Sequence, residues 1–151
     1  MAYDPRADIL GLFTNEKVSA TGKYKTEYVE VHIRDRNPTL RRNYKTSRGV
    51  ISLEPPIQTR PEGTIGGDVY KQPVIINCHL FIPIDEKTNY NIDTFVNAIV
   101  HSFQDTIIDN QLSTVTNGVV DFLGCEPVPS KSGKNIRRLM QIRVRKYEDY
   151  S

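Results

Sequence analysis

Apolar and polar residues alternate along this chain with two different periods, and the periods separate its strands from its helices. "EYVEVHIR" alternates strictly, with Val29, Val31 and Ile33 on one side and Tyr28, Glu30 and His32 on the other, the pattern of a half-buried strand. "QPVIINCHLFIP" repeats it at greater length: Val74, Ile76, Cys78, Leu80 and Ile82 share one side, and Ile75, Asn77, His79 and Phe81 the other. That segment predicts a central strand. A helical period takes over in "NIDTFVNAIVHSFQDTIID", where Phe95, Val96, Ile99, Val100, Phe103, Ile107 and Ile108 recur at i, i+3, i+4 spacing. Asn91 is placed to cap this helix and Asp93 suits its positive N-terminal end. Asn97, His101, Gln104 and Asp105 make up its polar side.

The remaining segments are shorter. "DILGLFTN" sets Ile9, Leu12 and Phe13 at helical spacing behind Pro5, predicting a short N-terminal helix that Gly11 weakens. "GVISLEP" predicts a brief strand closed by Pro55-Pro56. "VVDFLGCEPV" and "IRRLMQIRVRKYE" predict two final strands joined through "PSKSGKN"; in the last, Met140, Ile142 and Val144 take one face and Leu139, Gln141, Arg143 and Arg145 the other. Two stretches carry no period: about 34–49, broken at Asn37-Pro38, and about 55–72, whose "QTRPEGTIGGDVY" is rich in Pro and Gly. Both predict long loops, the second a mobile excursion. The order helix, strand, strand, strand, helix, strand, strand predicts one α+β domain over residues 1–151. Its sheet is mainly antiparallel, with the long amphipathic helix packed across it and the short helix at its N-terminus. The expected core is Val29, Val31, Ile33, Val74, Ile76, Cys78, Leu80, Phe95, Ile99, Phe103, Met140, Ile142 and Val144.

A chain of 151 residues can bury a core without disulfide or metal staples. Its two cysteines, Cys78 and Cys125, are widely separated and read as buried small hydrophobes in a reducing compartment. "MAYDPRADILGLF" lacks the basic start and apolar run of a signal peptide, and no window has the length of a membrane span, so a soluble, unexported protein is expected. Charge changes this picture more than composition does. The net +2 conceals a segregation: Pro127 to Tyr147 holds seven basic residues and no acid, whereas Asp85 to Glu126 holds seven acids against Lys87 alone. Opposite charges segregated this way suit either subunits that steer onto one another or a face that touches phosphate.

Motifs for catalysis fail on their own chemistry. "PSKSGKN" has Val128 where a phosphate-binding loop needs its first glycine and Asn135 where it needs Ser or Thr. Cys78 and His79 point to opposite faces of a strand and cannot share one ion; the other histidines lack metal-ligand spacing. Ser102 beside His101 diverges around a helix, and the spacing of Asp85 and Lys87 falls in a turn after Pro83 rather than in a buried strand. The expectation is therefore no catalytic residue, no metal and no cofactor. The basic stretch "VHIRDRNPTLRRNYKTSRG" carries Arg34, Arg36, Arg41, Arg42, Lys45 and Arg48 with Tyr44 as its one aromatic. That pattern supports phosphate contact without base readout, or contact with an acidic partner.

Taken together, "EYVEVHIR" with its basic extension, "VIINCHLFIP" turning into "NIDTFVNAIVHSFQDTIID", and the terminal "IRRLMQIRVRKYE" resemble the tail-terminator and tail-completion proteins of long-tailed bacterial and archaeal viruses. The resemblance is one of length and element order from about Asp8 to Glu148, and the Pro/Gly segment after Leu53 departs from it. It implies a subunit that closes into a hexameric ring, ends the tail tube and joins it to the head connector, so that DNA passes through its channel within the virion tail or neck. No membrane partner is implied. The expected contacts between subunits, or with tube and connector proteins, set Arg34, Arg36, Arg41, Arg42, Lys45, Arg48, Arg143 and Arg145 against Asp85, Glu86, Asp105 and Asp109. The competing expectation is a stand-alone nucleic-acid-binding α+β protein that grips phosphates through the same basic loops.

Overall fold

The computed structural model describes residues 4–20, 27–34, 47–58, 62–63, 69–84, 92–110, 118–129 and 135–148. In chain order these form α1 (Arg6–Leu10), a 3-10 turn (Thr14–Glu16), β1 (Lys17–Ser19), β2 (Tyr28–Ile33), β3 (Ser47–Leu53), β4 (Ile57–Gln58), β5 (Glu62–Gly63), β6 (Val69–Pro83), α2 (Ile92–Asp109), β7 (Gly118–Val128) and β8 (Asn135–Glu148). One sheet runs β1-β2-β3-β6-β8-β7, and β4 and β5 also pair with β6. The two longest strands, β6 and β8, are antiparallel from Val69 opposite Glu148 to Pro83 opposite Asn135. The architecture is a single α+β domain, as the periodicity predicts.

Besides β1, which was not expected, and β3, which begins at Ser47 inside the loop expected at about 34–49, two features depart from the sequence reading. Gln58 to Tyr70, expected as an excursion without regular structure, supplies the end of β4, all of β5 and the start of β6. Leu53 lies opposite Cys78, Ile57 opposite Ile75 and Gly63 opposite Val69, so β3, β4 and β5 follow one another along one edge of β6. Segments this short are held by ladder hydrogen bonds to a long partner, which leaves no side-chain period to read. The second departure is that β2 and β3 are parallel, with Val31 opposite Ile51 and Ile33 opposite Leu53. A parallel pair cannot close by a hairpin and needs a connection of about a dozen or more residues. The stretch 35–46 between them has that length.

The core lies between one face of the sheet and the two helices. Val29, Val31, Ile51, Leu53, Val74, Ile76, Cys78, Leu80, Met140, Ile142 and Val144 meet Ile9 of α1 and Phe95, Val96, Ile99, Phe103 and Ile107 of α2. Phe103 stacks on Phe13 at 5.2 Å between ring centroids and meets Phe122 edge-on at 6.2 Å. Each such large apolar side chain contributes about 1.5–3 kcal/mol by leaving water. Of the expected core positions only Ile33 is half-buried, at the end of β2. Ile108, expected in the apolar stripe of α2, is 51% exposed. It follows Ile99 by nine positions, and about 100° per residue carries it to the opposite side of the helix.

Candidate functional site

Strand alternation gives the sheet a second face, and both described helices pack on the first. Val50 shows the separation: it is buried at 6% exposure yet stands outside the core cluster. Its neighbours on this second face are fixed by register. His32 of β2 lies opposite Ser52 of β3, Ser52 opposite His79 of β6, and His79 opposite Leu139 of β8, a row that crosses four strands. Beside it Val50, Phe81 and Arg137 form a second row, with Phe81 37% exposed. On the other flank Gln141 donates from Nε2 to Oδ1 of Asn77 at 2.9 Å. No described element covers this surface; Val50 and Ser52 are buried there and the side chains around them are mostly half-buried.

Its charges are largely paired within the chain. Arg143 and Arg145 converge on Oδ2 of Asp121 at 3.2 and 3.0 Å. Arg34 donates to Glu54 at 2.8 Å at the edge of the row of histidines. Nε2 of His32 stands 3.9 Å from Glu30, beyond hydrogen-bond reach. Ser52 Oγ, His32 Nε2 and His79 Nδ1 are buried atoms with no hydrogen-bond partner. A buried polar group left this way costs about 1–3 kcal/mol. Burial also holds the His79 imidazole below its ordinary pKa; Glu54 opposes the effect, and Arg137 and Arg34 reinforce it. Chemically, the row presents hydroxyl and imidazole groups able to donate and accept, flanked by Phe81 and Leu139 as apolar anchors. Ser52 Oγ is not bonded to either imidazole, so the contact that would activate a nucleophile is not made.

The residues expected from sequence fall in different places. Arg143 and Arg145 come together, on an acid from the acidic middle of the chain, so part of the anticipated complementarity is satisfied internally. Arg48 pairs with Glu27 at 3.2 Å, away from them. Asp105 sits on the exposed side of α2 with His101 at 3.3 Å, and Asp109 is exposed at the end of that helix. Arg36, Arg41, Arg42, Lys45, Asp85 and Glu86 lie outside the described residues. Sequence reasoning missed Ser52, Glu54 and Arg137, and it did not bring His32 and His79 into one row. Alternation signalled the polar face for both histidines, but nothing in either strand specifies that β3 lies between them.

A second feature is a groove of about 420 Å3 between α2 and the turn before β1, lined by Phe13, Asn15, Lys17, Ser102, Asp105 and Thr106 among others. Asn15 and Glu16, at φ 55° and 57°, both take left-handed backbone beside it, a conformation that costs a non-glycine residue about 1 kcal/mol or more. Among the described residues, no three of His, Cys, Asp and Glu are grouped to hold a metal ion, and no helix is long and apolar enough to cross a membrane. No family model matches the chain, and no curated protein matches it.

Proposed function

We propose that this chain is a structural assembly subunit of a virus tail or neck, which forms a ring at the end of the tail tube, terminates it and joins it to the head connector. The observation that carries the reading is the face of the sheet that no described element covers: a mostly half-buried surface with exposed Phe81 and buried polar atoms that have no hydrogen-bond partner. Such a face gains free energy when another surface covers it and supplies hydrogen bonds. The order of elements, a short helix, strands, a long helix across the sheet and two final strands, supports the same class through its resemblance to tail-terminator proteins. A subunit of this kind works by contact and carries no reaction, with DNA passing through the ring.

Electron microscopy of the purified chain, paired with DNA-binding measurements over a range of salt, tests this reading. Rings with a central channel, together with weak DNA binding, are expected. Dispersed monomers that bind DNA tightly, with affinity falling steeply as salt rises, would replace the assembly reading with that of a phosphate-gripping protein.

A further inference from the structure

Resting on the assembly reading, a partner for the face that no described element covers follows from charge. Arg137 stands directly across from Phe81 on that face. Arg34, Arg143 and Arg145 are tied to carboxylates, but among the described residues Arg137 has no carboxylate partner; its carbonyl accepts a hydrogen bond from Arg138. The complementary surface lies on α2, whose 18 residues include no Lys or Arg. His101, Asp105 and Ile108 share one exposed stripe by their spacing, with Asp109 beside them. The two aspartates are near the C-terminal end of the helix, where the backbone dipole is negative and no basic residue of the last turn compensates. Between them Ile108 is among the most exposed large apolar side chains described.

We propose that this face receives the α2 stripe of a second copy of this chain, with Ile108 against Phe81 and Leu139, and Asp105 and Asp109 around Arg137. A helix laid on a bare sheet face is ordinary layer packing. Within one subunit the contact is impossible, because α2 packs on the opposite face of the same sheet. The two patches therefore look outward from opposite sides, and joining them gives a head-to-tail contact that repeats from copy to copy and makes a ring where the rotation between copies closes.

A charge exchange tests the pairing. Arg137→Glu on one side, and Asp105→Lys with Asp109→Lys on the other, are each expected to raise the concentration for half-assembly by about tenfold or more. All three changes together should return it to within about threefold of the wild type. Thermal transitions of the variants as monomers check that each folds; Arg137→Gln replaces Arg137→Glu should that one fail to fold, and its loss should be smaller and in the same direction. Wild-type rings unaffected by either set of reversals, or weakened by both without rescue, would overturn this docking and leave the ring reading standing. A wild-type chain that never associates would overturn both.

Discussion

Substituting Gly49 probes the seam on which the sheet depends. Between Tyr28 opposite Ser47 and Glu30 opposite Val50, β3 carries one residue more than β2, and Gly49 sits in that bulge. A Cβ on Gly49 would overlap the carbonyl oxygen of Phe81 and stand 3.0 Å from Ile82 Cγ1 and 3.2 Å from Ile82 Cα. Two of these three atoms belong to the backbone of β6, which is held by β3 on one side and β8 on the other and cannot move alone. Forcing a methyl group into such a contact costs about 1–3 kcal/mol. Loss of glycine's freedom in the unfolded chain returns about 0.4–1 kcal/mol, so Gly49→Ala should lose about 1–2 kcal/mol net. At this chain length that lowers the melting temperature by about 2–8 °C. Gly11→Ala is the control: Gly11 is exposed, lies at φ −65° and ψ −14°, and its nearest clash is Asp8 O at 3.3 Å. Its unfolding free energy from urea titration should stay within about 0.5 kcal/mol of wild type. Equal midpoints for the two variants would refute the close approach of β3 to β6.

Ile99→Ala should cost about 2–5 kcal/mol, because Ile99 is fully buried, whereas Ile108→Ala should change monomer stability by less than about 0.5 kcal/mol; equal losses in urea titrations would mean that α2 presents a different side to the sheet. His79 has its imidazole pKa lowered from 6.5 by burial, so the unfolded chain takes up this proton first as pH falls. Stability should therefore be complete above about pH 6.5 and decline below it until the lower folded value is passed, and His79→Gln should flatten that part of a denaturation-versus-pH curve. An unchanged slope would assign the decline to other groups. The Cys78 thiol is fully buried, as expected, which pushes its pKa up, whereas Cys125, also expected to be buried, is exposed. An alkylating reagent should modify one thiol per native chain and two only after denaturation, and native labelling of Cys78 would contradict its place in the core.

The elements legible in sequence were those whose side chains meet two different environments. β6, β8 and α2 each divide cleanly into buried and solvated sides, so Val74 to Ile82, Met140 to Val144 and Phe95 to Ile107 could be placed from period alone. β4 and β5 could not, since two-residue strands are defined by the backbone of β6 opposite them. The parallel register of β2 on β3 was equally hidden, because it depends on how the chain returns from Arg34 to Ser47 and on no pattern within either strand. The candidate surface inherits this limit. His32 and His79 could be read as polar-face residues one by one, but their alignment through Ser52 is a property of three strands at once. Arg143 and Arg145 were legible as basic, while their common hold on Asp121 required the β7–β8 register.

The mass of the chain in solution, followed from dilute to concentrated, tests the assembly reading most directly. The mass should rise from 17.2 kDa to a single closed multiple of that value, sixfold for the ring implied by the tail-terminator resemblance, with no larger species accumulating beyond it. A mass that stays at one chain across the whole range, or one that grows without limit as an open filament would, contradicts it.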